Sequence, residues 1–219
     1  MLMEISEVLE QKVKSLFSSE NSGHDIYHLK RVLNIALHLQ KTEGGDKMVI
    51  AVSALLHDVH RLIQLQTGKY CSPKDSLPKV KEILETVDLP KEKIEKILKC
   101  IEFHEQYGFS KDGRTVTDIE TLILQDADRL DAIGAVGIGR CFTYCAVNNI
   151  PMWMPEMPLV SEDYKHYKND PSTIHHFYNK LLRLKDDMNT ETAKKMALDR
   201  HNFMELFVKH FFAEWEGEK

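Results

Sequence analysis

The chain has 219 residues, enough for a full hydrophobic core, and its 42% hydrophobic and 29% charged residues are typical of an ordinary globular protein. Its net charge of −5, with acidic and basic residues mixed, argues against a surface for extended nucleic acid. The polar, acidic N-terminus is unlike a signal peptide, and no apolar run approaches the ~20 residues of a membrane helix. We therefore expect a cytoplasmic protein without a membrane partner, whose four cysteines are packed thiols.

Helical periodicity dominates the sequence, and strand-like alternation is scarce. We therefore predict an all-α single domain. The predicted helices lie at about 5–16, 28–43, 46–60, 77–87, 91–104, 122–147, 172–185 and 190–216. Thr117 or Asp118 is the expected N-cap of the long sixth helix.

Two loops stand out between these helices, at about 108–117 and 149–171. The second is long for a loop in a compact domain, which is typical of a lid or a binding element. It carries four bulky apolar residues that are candidates to cover a base-binding pocket: Met152, Trp153, Met154 and Met157.

The first chemically informative motif is the His57-Asp58 pair, which follows the apolar residues Ala54, Leu55 and Leu56. A carboxylate on such a buried helix needs a partner or a cation, because burying an unpaired charge is costly. The two side chains lie about 100° apart around a helix, so they converge on one point only near a helix end. Taken alone, the pair fits a structural role as well as a functional one.

Two other helices carry polar side chains among apolar residues. His28 begins an amphipathic helix and is expected to point inward, where a single histidine is usually a satisfied core residue. Asp126, Asp128 and Asp131 lie close together on an otherwise apolar helix, beside Arg129. Because carboxylates are rarely buried alone, at least one of them requires a compensating partner: a metal, Arg129 or another side chain.

These residues together resemble the signature of the HD-domain superfamily of metal-dependent phosphohydrolases. That signature is a first histidine, a His-Asp pair and a distant aspartate, each on a different helix. His28 in HLKRV, His57-Asp58 in LLHDV and Asp128 in DADRLDA match that order.

The resemblance is closest to small bacterial HD hydrolases and extends over nearly the whole chain. These proteins share GHDxxHxxRV, ADRLDAIGA and a C-terminal segment that here reads HFYNKLLRLKDDMNT. The resemblance implies one HD-type domain over residues 1–219, with the HD core at about 20–150 and a helical extension at about 171–216. The stretch after the His-Asp pair, with His60, Arg61 and CSPKDS, departs from the shared pattern and leaves the substrate open.

The resemblance implies that His28, His57, Asp58 and Asp128 bind one divalent cation. Two imidazoles and two carboxylates suit Mn²⁺, Fe²⁺, Ni²⁺, Co²⁺, Zn²⁺ or Mg²⁺, and the small bacterial group favours Mn²⁺. Such a set leaves room on an octahedral ion for a water and a substrate oxygen. Asp58 is also the candidate catalytic group that orients this water or takes its proton.

Positive charge must also offset the negative charge that develops at phosphorus. The candidate substrate-binding residues are Arg31, Arg61, Lys180, Arg183 and Lys185. Arg31 is the preferred catalytic phosphate contact, because it lies three residues from His28 on the same helix face. His104 and Glu105, in IEFHEQYG, are candidate additional site groups, and His104 is the candidate general acid or phosphate donor.

A further group of polar residues is expected to orient the metal ligands. His24 is assigned to this group, as are Asp126 and Asp131, for which Arg129 is an alternative partner.

The first functional hypothesis is metal-dependent hydrolysis of a phosphate ester or phosphoanhydride in a small molecule, with a nucleotide preferred. The resemblance implies a nucleoside triphosphate pyrophosphohydrolase. Two alternatives remain open: a non-haem iron oxygenase, which needs a second iron and more histidines than His104, and a nucleotide-binding regulator without turnover. The expected partner is a small phosphorylated molecule, and a homo-oligomer is compatible with the sequence.

Overall fold

The computed structural model describes residues 2–18, 22–109, 116–159 and 170–218. Within these ranges all regular secondary structure is helical and no strand occurs, so the predicted all-α class is confirmed. The chain forms two compact units, Met1–Asp128 and Arg129–Lys219. The assignment of one HD-type domain to the whole chain stays a prediction.

The first unit is a helical bundle organised around an apolar helix. Its helices are α1 (Leu2–Leu16), α2 (Ile26–Glu43), α3 (Lys47–Leu56), α4 (Val59–Thr67), α5 (Pro73–Leu84), α6 (Lys91–Phe103) and α7 (Ile119–Asp131), which continues three residues past the unit boundary. Every residue of α3 from Met48 to Leu56 is buried. This helix packs against α1, α2 and α6, while α5 packs against α4 and α6.

Side-chain caps set the starts of several helices in the first unit. Asp46 accepts hydrogen bonds from the backbone N–H groups at the start of α3, which satisfies donors that have no partner within the helix. Ser72 and Asp75 form a capping box that starts α5 at Pro73, earlier than the predicted start at about residue 77. Asp118 accepts from the backbone N–H of Thr121, as expected for the N-cap of α7.

The predicted helix from Asp46 to His60 is wrong, because the chain leaves helical geometry at Asp58. There φ is −92° and ψ is 14°, and the next helix begins at Val59. The backbone N–H of Arg61 donates to the carbonyl of Asp58 at 2.9 Å, which closes the first turn of α4. His57 and Asp58 therefore lie at a junction between two helices, where adjacent side chains can converge.

The stretch Lys47–Thr67, which α3 and α4 form, is long and apolar enough by composition to cross a membrane, contrary to the sequence expectation. Its most apolar window is 78% buried inside the fold. That degree of burial is typical of a core element.

The second unit contains three α-helices and a 3-10 helix within its described residues. They are α8 (Gly134–Val147), α9 (Thr173–Asn179), the 3-10 helix Leu181–Asp187 and α10 (Glu191–Trp215). The long helix α10 packs against α8 and the 3-10 helix, and α9 packs against both of these as well.

Two predicted helices are interrupted in the structure. The predicted helix 122–147 divides into α7 and α8, because Gly134 has a φ of +79°, which residues with a side chain rarely adopt. A Cβ atom at this position would also lie 3.0 Å from Cγ of Arg200. The predicted helix 172–185 divides at Lys180 into α9 and the 3-10 helix.

The two predicted loops are only partly described, because residues 110–115 and 160–169 lie outside the described ranges. In the described part of the second loop, the Trp153 ring stacks on His175 with centroids 4.9 Å apart. It also meets Phe212 edge-on at 5.3 Å. Trp153 therefore packs within the second unit, and its predicted contact with a base is untested. All four cysteines are buried and free, as expected for packed thiols.

Candidate metal centre

His28 lies in the first turn of α2 and is completely buried. Asp25 fixes this turn, because its carboxylate accepts a hydrogen bond from the backbone N–H of His28 at 2.9 Å. Leu29 and Val32, on the following turn, are also buried. The His28 side chain therefore points into the first unit, as predicted from the amphipathic pattern.

His57 and Asp58 converge on His28 from the junction between α3 and α4. The Nδ1–H of His57 donates to the carbonyl of Ala54 at 2.9 Å, which leaves the lone pair on Nε2. This Nε2 atom lies 3.2 Å from Nε2 of His28. Oδ2 of Asp58 lies 3.2 Å from Nε2 of His28 and 3.8 Å from Nε2 of His57.

Helix α7 is held against α6 by side-chain hydrogen bonds on one of its faces. Nε2 of Gln125 donates to the carbonyl of Phe103 at 2.8 Å, and Oγ1 of Thr121 donates to Sγ of Cys100 at 3.4 Å. These contacts fix the position of Asp128, one turn after Gln125.

Asp128 completes the convergence of the four predicted ligands. Its Oδ1 atom lies 3.6 Å from Nε2 of His28 and 3.8 Å from Nε2 of His57. We call His28, His57, Asp58 and Asp128 the metal cluster.

The donor set and spacing of the metal cluster fit one divalent cation. Ligand atoms that each lie about 2.1 Å from an ion are separated by roughly 3.0–3.5 Å in octahedral or tetrahedral geometry. The observed separations of 3.2–3.8 Å between the Nε2 and carboxylate oxygen atoms need only a small contraction to reach that range. The His57 tautomer also presents a lone pair at the atom that would face the ion.

The electrostatics of the cluster keep its carboxylates ionised. Burial alone would raise the pKa of Asp58, but His57, His24 and hydrogen bonds from His24 and His28 hold it well below its usual range. Burial also acts to raise the pKa of Asp128, and the charges of His57 and His28 outweigh it, so that this pKa is lowered. Burial lowers the pKa of His57, although Asp58 and Asp128 oppose the shift. Ionised carboxylates are the protonation state in which Asp58 and Asp128 can bind a metal ion.

His24 contacts a cluster carboxylate from outside α2. Its Nδ1 atom lies 2.9 Å from Oδ2 of Asp58, the oxygen that also lies beside His28. This contact is the one expected of a residue that orients a ligand, which is the role predicted for His24.

His104 lies at the end of α6, next to the metal cluster, with its ring centroid 5.1 Å from that of His57. Its Nδ1–H donates to the carbonyl of Ile101 at 2.7 Å, and its buried Nε2 has no hydrogen-bond partner within the described ranges. Burial, with the charges of His57 and His60, lowers the pKa of His104 to about 4, although Glu105 opposes the shift. His104 is therefore neutral at pH 7, and the predicted general-acid role requires an anionic substrate to raise this pKa again.

His60 and Glu105 also lie beside the metal cluster. Glu105 was expected from the sequence as an additional site group, whereas His60 was not. Nδ1 of His60 lies 3.2 Å from the carbonyl of His57, and its Nε2 lies 3.6 Å from Oε1 of Glu105. Possible ligand atoms of His60, His104 and Glu105 all lie within 4.8 Å of one another. The signal in the sequence was a pair of polar residues at each of two helix ends, His60-Arg61 at the start of α4 and His104-Glu105 directly after α6.

The predicted phosphate-binding residues lie in both units. In the first unit, Nε of Arg61 lies 3.8 Å from Oδ1 of Asp58, and Arg31 lies on α2 one turn after His28. Lys180, Arg183 and Lys185 belong to the second unit, where Nη1 of Arg183 donates to the carbonyl of Asn179 at 3.3 Å and Lys185 lies 3.8 Å from Asp186. The substrate-binding roles of all five residues stay predictions.

Arg129 and Asp131, which follow Asp128, have structural partners in the second unit. Nη2 of Arg129 lies 3.2 Å from Oδ2 of Asp187, and its Nη1 donates to the Asp187 carbonyl at 2.7 Å. Nη1 of Arg140 donates to Oδ2 of Asp131 at 2.9 Å.

Comparison with known proteins assigns the family. Residues 25–133 match the HD domain family, a span that contains the whole metal cluster. The Bacillus subtilis protein YpgQ is 33% identical over 212 residues, which cover 97% of this chain and 94% of YpgQ.

Solved structures agree with that assignment. An HD-superfamily hydrolase from Bacillus thuringiensis is 34% identical with a TM-score of 0.73, covering 99% of this chain and 100% of the other. A Lactobacillus plantarum protein is 30% identical with a TM-score of 0.81, covering 97% of each chain. The structure of B. subtilis YpgQ in complex with ADP is 28% identical with a TM-score of 0.70, covering 97% of this chain and 96% of YpgQ. The chain therefore belongs to the HD-domain superfamily and is a metal-dependent phosphohydrolase.

Proposed function

We propose that the protein hydrolyses a phosphoanhydride bond of a nucleotide, and that its substrate is a nucleoside triphosphate cleaved to the monophosphate and pyrophosphate. The observation that carries this proposal is the convergence of the metal cluster at separations that suit one divalent cation. The ADP complex of the relative YpgQ supports a nucleotide as the ligand. We propose Mn²⁺ as the activating ion and the cytoplasm, where free thiols persist, as the compartment.

In this proposal the metal cluster holds the ion that supplies Lewis-acid chemistry to the reacting phosphate. A divalent ion held by these residues would polarise a phosphoryl oxygen and lower the pKa of water from 15.7 to as little as ~7. The protein orients the reacting groups through Asp58. Oδ2 of Asp58 faces His24 and His28, so Oδ1 is the atom that we assign to orienting the attacking water and accepting its proton.

Two arginines supply fixed positive charge to the substrate phosphates in this proposal. Arg61 lies beside Oδ1 of Asp58, and Arg31 lies one turn from His28. A planar guanidinium can donate two parallel hydrogen bonds to a phosphate, which orients it as well as neutralising its charge. We assign His104, once protonated, to proton donation to the leaving pyrophosphate.

A metal-by-nucleotide hydrolysis panel tests this function. The purified protein is incubated with each divalent ion and each nucleoside triphosphate, and the products are separated to distinguish pyrophosphate from phosphate. We expect pyrophosphate release with Mn²⁺, and a loss of at least about 100-fold in His57→Ala and Asp58→Ala, because the ion supplies several kcal/mol of transition-state stabilisation. His38→Ala, which replaces an exposed histidine of α2, is the matched control and should retain activity.

Three outcomes of the panel would count against the proposed function. Activity that persists in both variants would reject the site, and release of phosphate alone would reject pyrophosphohydrolysis. Tight nucleotide binding without turnover under every ion would favour the regulator.

One observation favours a second candidate, the iron oxygenase. His60 and Glu105 lie near His104, so the chain offers more ligands beside the metal cluster than the one histidine expected from the sequence. Two irons per chain together with oxygen consumption in an aerobic substrate screen would favour the oxygenase over the phosphohydrolase.

A further inference from the structure

The ion pair between Arg61 and Glu105 lies beside the metal cluster, and neither residue is one of the four members of that cluster. Arg61, in the first turn of α4, donates from Nη2 to Oε1 of Glu105 at the end of α6. Nε of the same guanidinium lies 3.8 Å from Oδ1 of Asp58. One arginine therefore lies between a cluster carboxylate and a carboxylate outside the cluster.

Glu105 is a desolvated partner for that arginine. Its side chain is only 10% exposed. Burial alone would raise the pKa of Glu105, but Arg61 and His60 hold it well below its usual range. A buried charge persists only where its partner compensates it, and such a pair fixes geometry in a way that a surface ion pair does not.

Arg61 is held by a largely buried partner, while part of its own side chain is exposed to solvent. Its side chain keeps 24% of its surface exposed. A guanidinium carries N–H donors on three nitrogens, and the bond to Glu105 engages Nη2. Glu105 thus restrains the rotation of the guanidinium, while part of the Arg61 side chain stays exposed to solvent.

We propose that Glu105 is a positioning residue for the substrate phosphate: its carboxylate holds the Arg61 guanidinium beside Asp58 in the orientation that meets a phosphoryl oxygen. This inference rests on the proposed phosphohydrolase function. Glu105 itself does not touch the substrate, and its effect passes through Arg61.

The test compares Glu105→Gln, Arg61→Gln and the double variant with a matched control. Glu82→Gln replaces an exposed glutamate that pairs with Lys79 on the surface of α5. KM and kcat are measured for the nucleoside triphosphate at saturating Mn²⁺. The dissociation constant of pyrophosphate is measured on the Mn²⁺-loaded protein, together with the number of ions bound per chain.

A positioning role predicts a selective loss of phosphate binding. Glu105→Gln should raise KM and the pyrophosphate dissociation constant about tenfold. This factor is the usual contribution of one hydrogen bond to a charged group. It should leave kcat within about threefold, because the water-activating residues are intact. The double variant should bind pyrophosphate no more weakly than Arg61→Gln, and the ion content and Glu82→Gln should match the wild type.

Two outcomes would overturn the inference. Losses that multiply in the double variant would show that Glu105 acts independently of Arg61. Fewer ions bound to Glu105→Gln would make Glu105 a ligand, together with His60 and His104.

The experiment still tests the role of Glu105 if Glu105→Gln does not fold or if the wild type shows no turnover. If Glu105→Gln does not fold, Arg61→Lys is the replacement variant, because it keeps the positive charge but loses the planar guanidinium. Unchanged pyrophosphate affinity in Arg61→Lys would show that the orientation of the guanidinium does not matter, and would equally reject the positioning role of Glu105. Should the wild type hydrolyse no nucleotide, the proposed function fails, whereas pyrophosphate binding still reports on the Arg61–Glu105 pair.

Discussion

The Nε2 atoms of His28 and His57 lie 3.2 Å apart in the interior of the first unit, although 28 residues separate the two histidines in the chain. Two imidazole nitrogens approach this closely when they share a proton or a cation. With the carboxylates of Asp58 and Asp128 within 3.8 Å of them, a divalent cation accounts for all four groups at once. The predictions below follow from this arrangement and from the contacts that support it.

Removing His24 should weaken metal binding without removing a metal ligand. Its Nδ1 atom lies 2.9 Å from Oδ2 of Asp58, so His24→Ala leaves that carboxylate less well oriented. We expect the Mn²⁺ affinity, measured by competition with a chelator, to fall about 10- to 100-fold, as for other residues that support a ligand. Unchanged affinity in His24→Ala would show that Asp58 is oriented without it.

Arg31→Ala should weaken substrate binding. The loss of one charged donor to phosphate is expected to raise KM for the nucleotide about tenfold. Lys30→Ala provides the neighbouring control, because Lys30 pairs with Glu10 on the surface of the first unit. If Arg31→Ala altered neither affinity nor turnover, its assignment as a phosphate contact would be withdrawn.

The stability of the metal-free protein should fall on mild acidification because of His104. Burial lowers its pKa from 6.5 to about 4 in the folded state, so the unfolded chain takes up a proton first as the pH falls. The contribution of His104 is therefore fully present above pH 6.5 and is lost progressively as the pH falls towards 4.

This pH dependence is measured by urea unfolding of chelator-treated protein between pH 7.5 and 4.5. The free energy of unfolding of the wild type should fall more steeply than that of His104→Gln, by up to about 1 kcal/mol per pH unit. Parallel curves for the two proteins would contradict the burial of a neutral imidazole at this position.

Asp187→Ala should destabilise the second unit. The Arg129 side chain is 1% exposed and pairs with Asp187 through both the carboxylate and the backbone carbonyl. Removing the carboxylate leaves a buried guanidinium poorly compensated, at a cost of about 3–5 kcal/mol in the free energy of unfolding. Asp186→Ala, at a side chain that is 81% exposed, should stay within about 0.5 kcal/mol of the wild type. Equal stability of the two variants would contradict this account of Arg129.

The sequence was informative where a polar residue interrupts an apolar pattern. The local pattern drew attention to His28, to Asp58 and to the aspartates of α7. The resemblance to the HD-domain superfamily then selected Asp128 from these aspartates and grouped the four residues as ligands. The all-α class followed from helical periodicity alone.

The remaining features depend on contacts between distant segments or on single backbone angles. The break at Asp58 arises from its φ and ψ values inside a stretch that reads as one continuous helix. Arg61 pairs with Glu105, which lies 44 positions later in the chain, and Arg129 pairs with Asp187, which lies 58 positions later. Periodicity carries no information on such pairings, so neither partner was predictable.

The metal cluster is tested most directly by diffraction from crystals grown with Mn²⁺, with data collected at the manganese absorption edge. We expect one strong anomalous peak at about 2.0–2.6 Å from Nε2 of His28, Nε2 of His57 and a carboxylate oxygen each of Asp58 and Asp128. An anomalous map with no peak among these four side chains, from protein shown to bind the ion in solution, would contradict it.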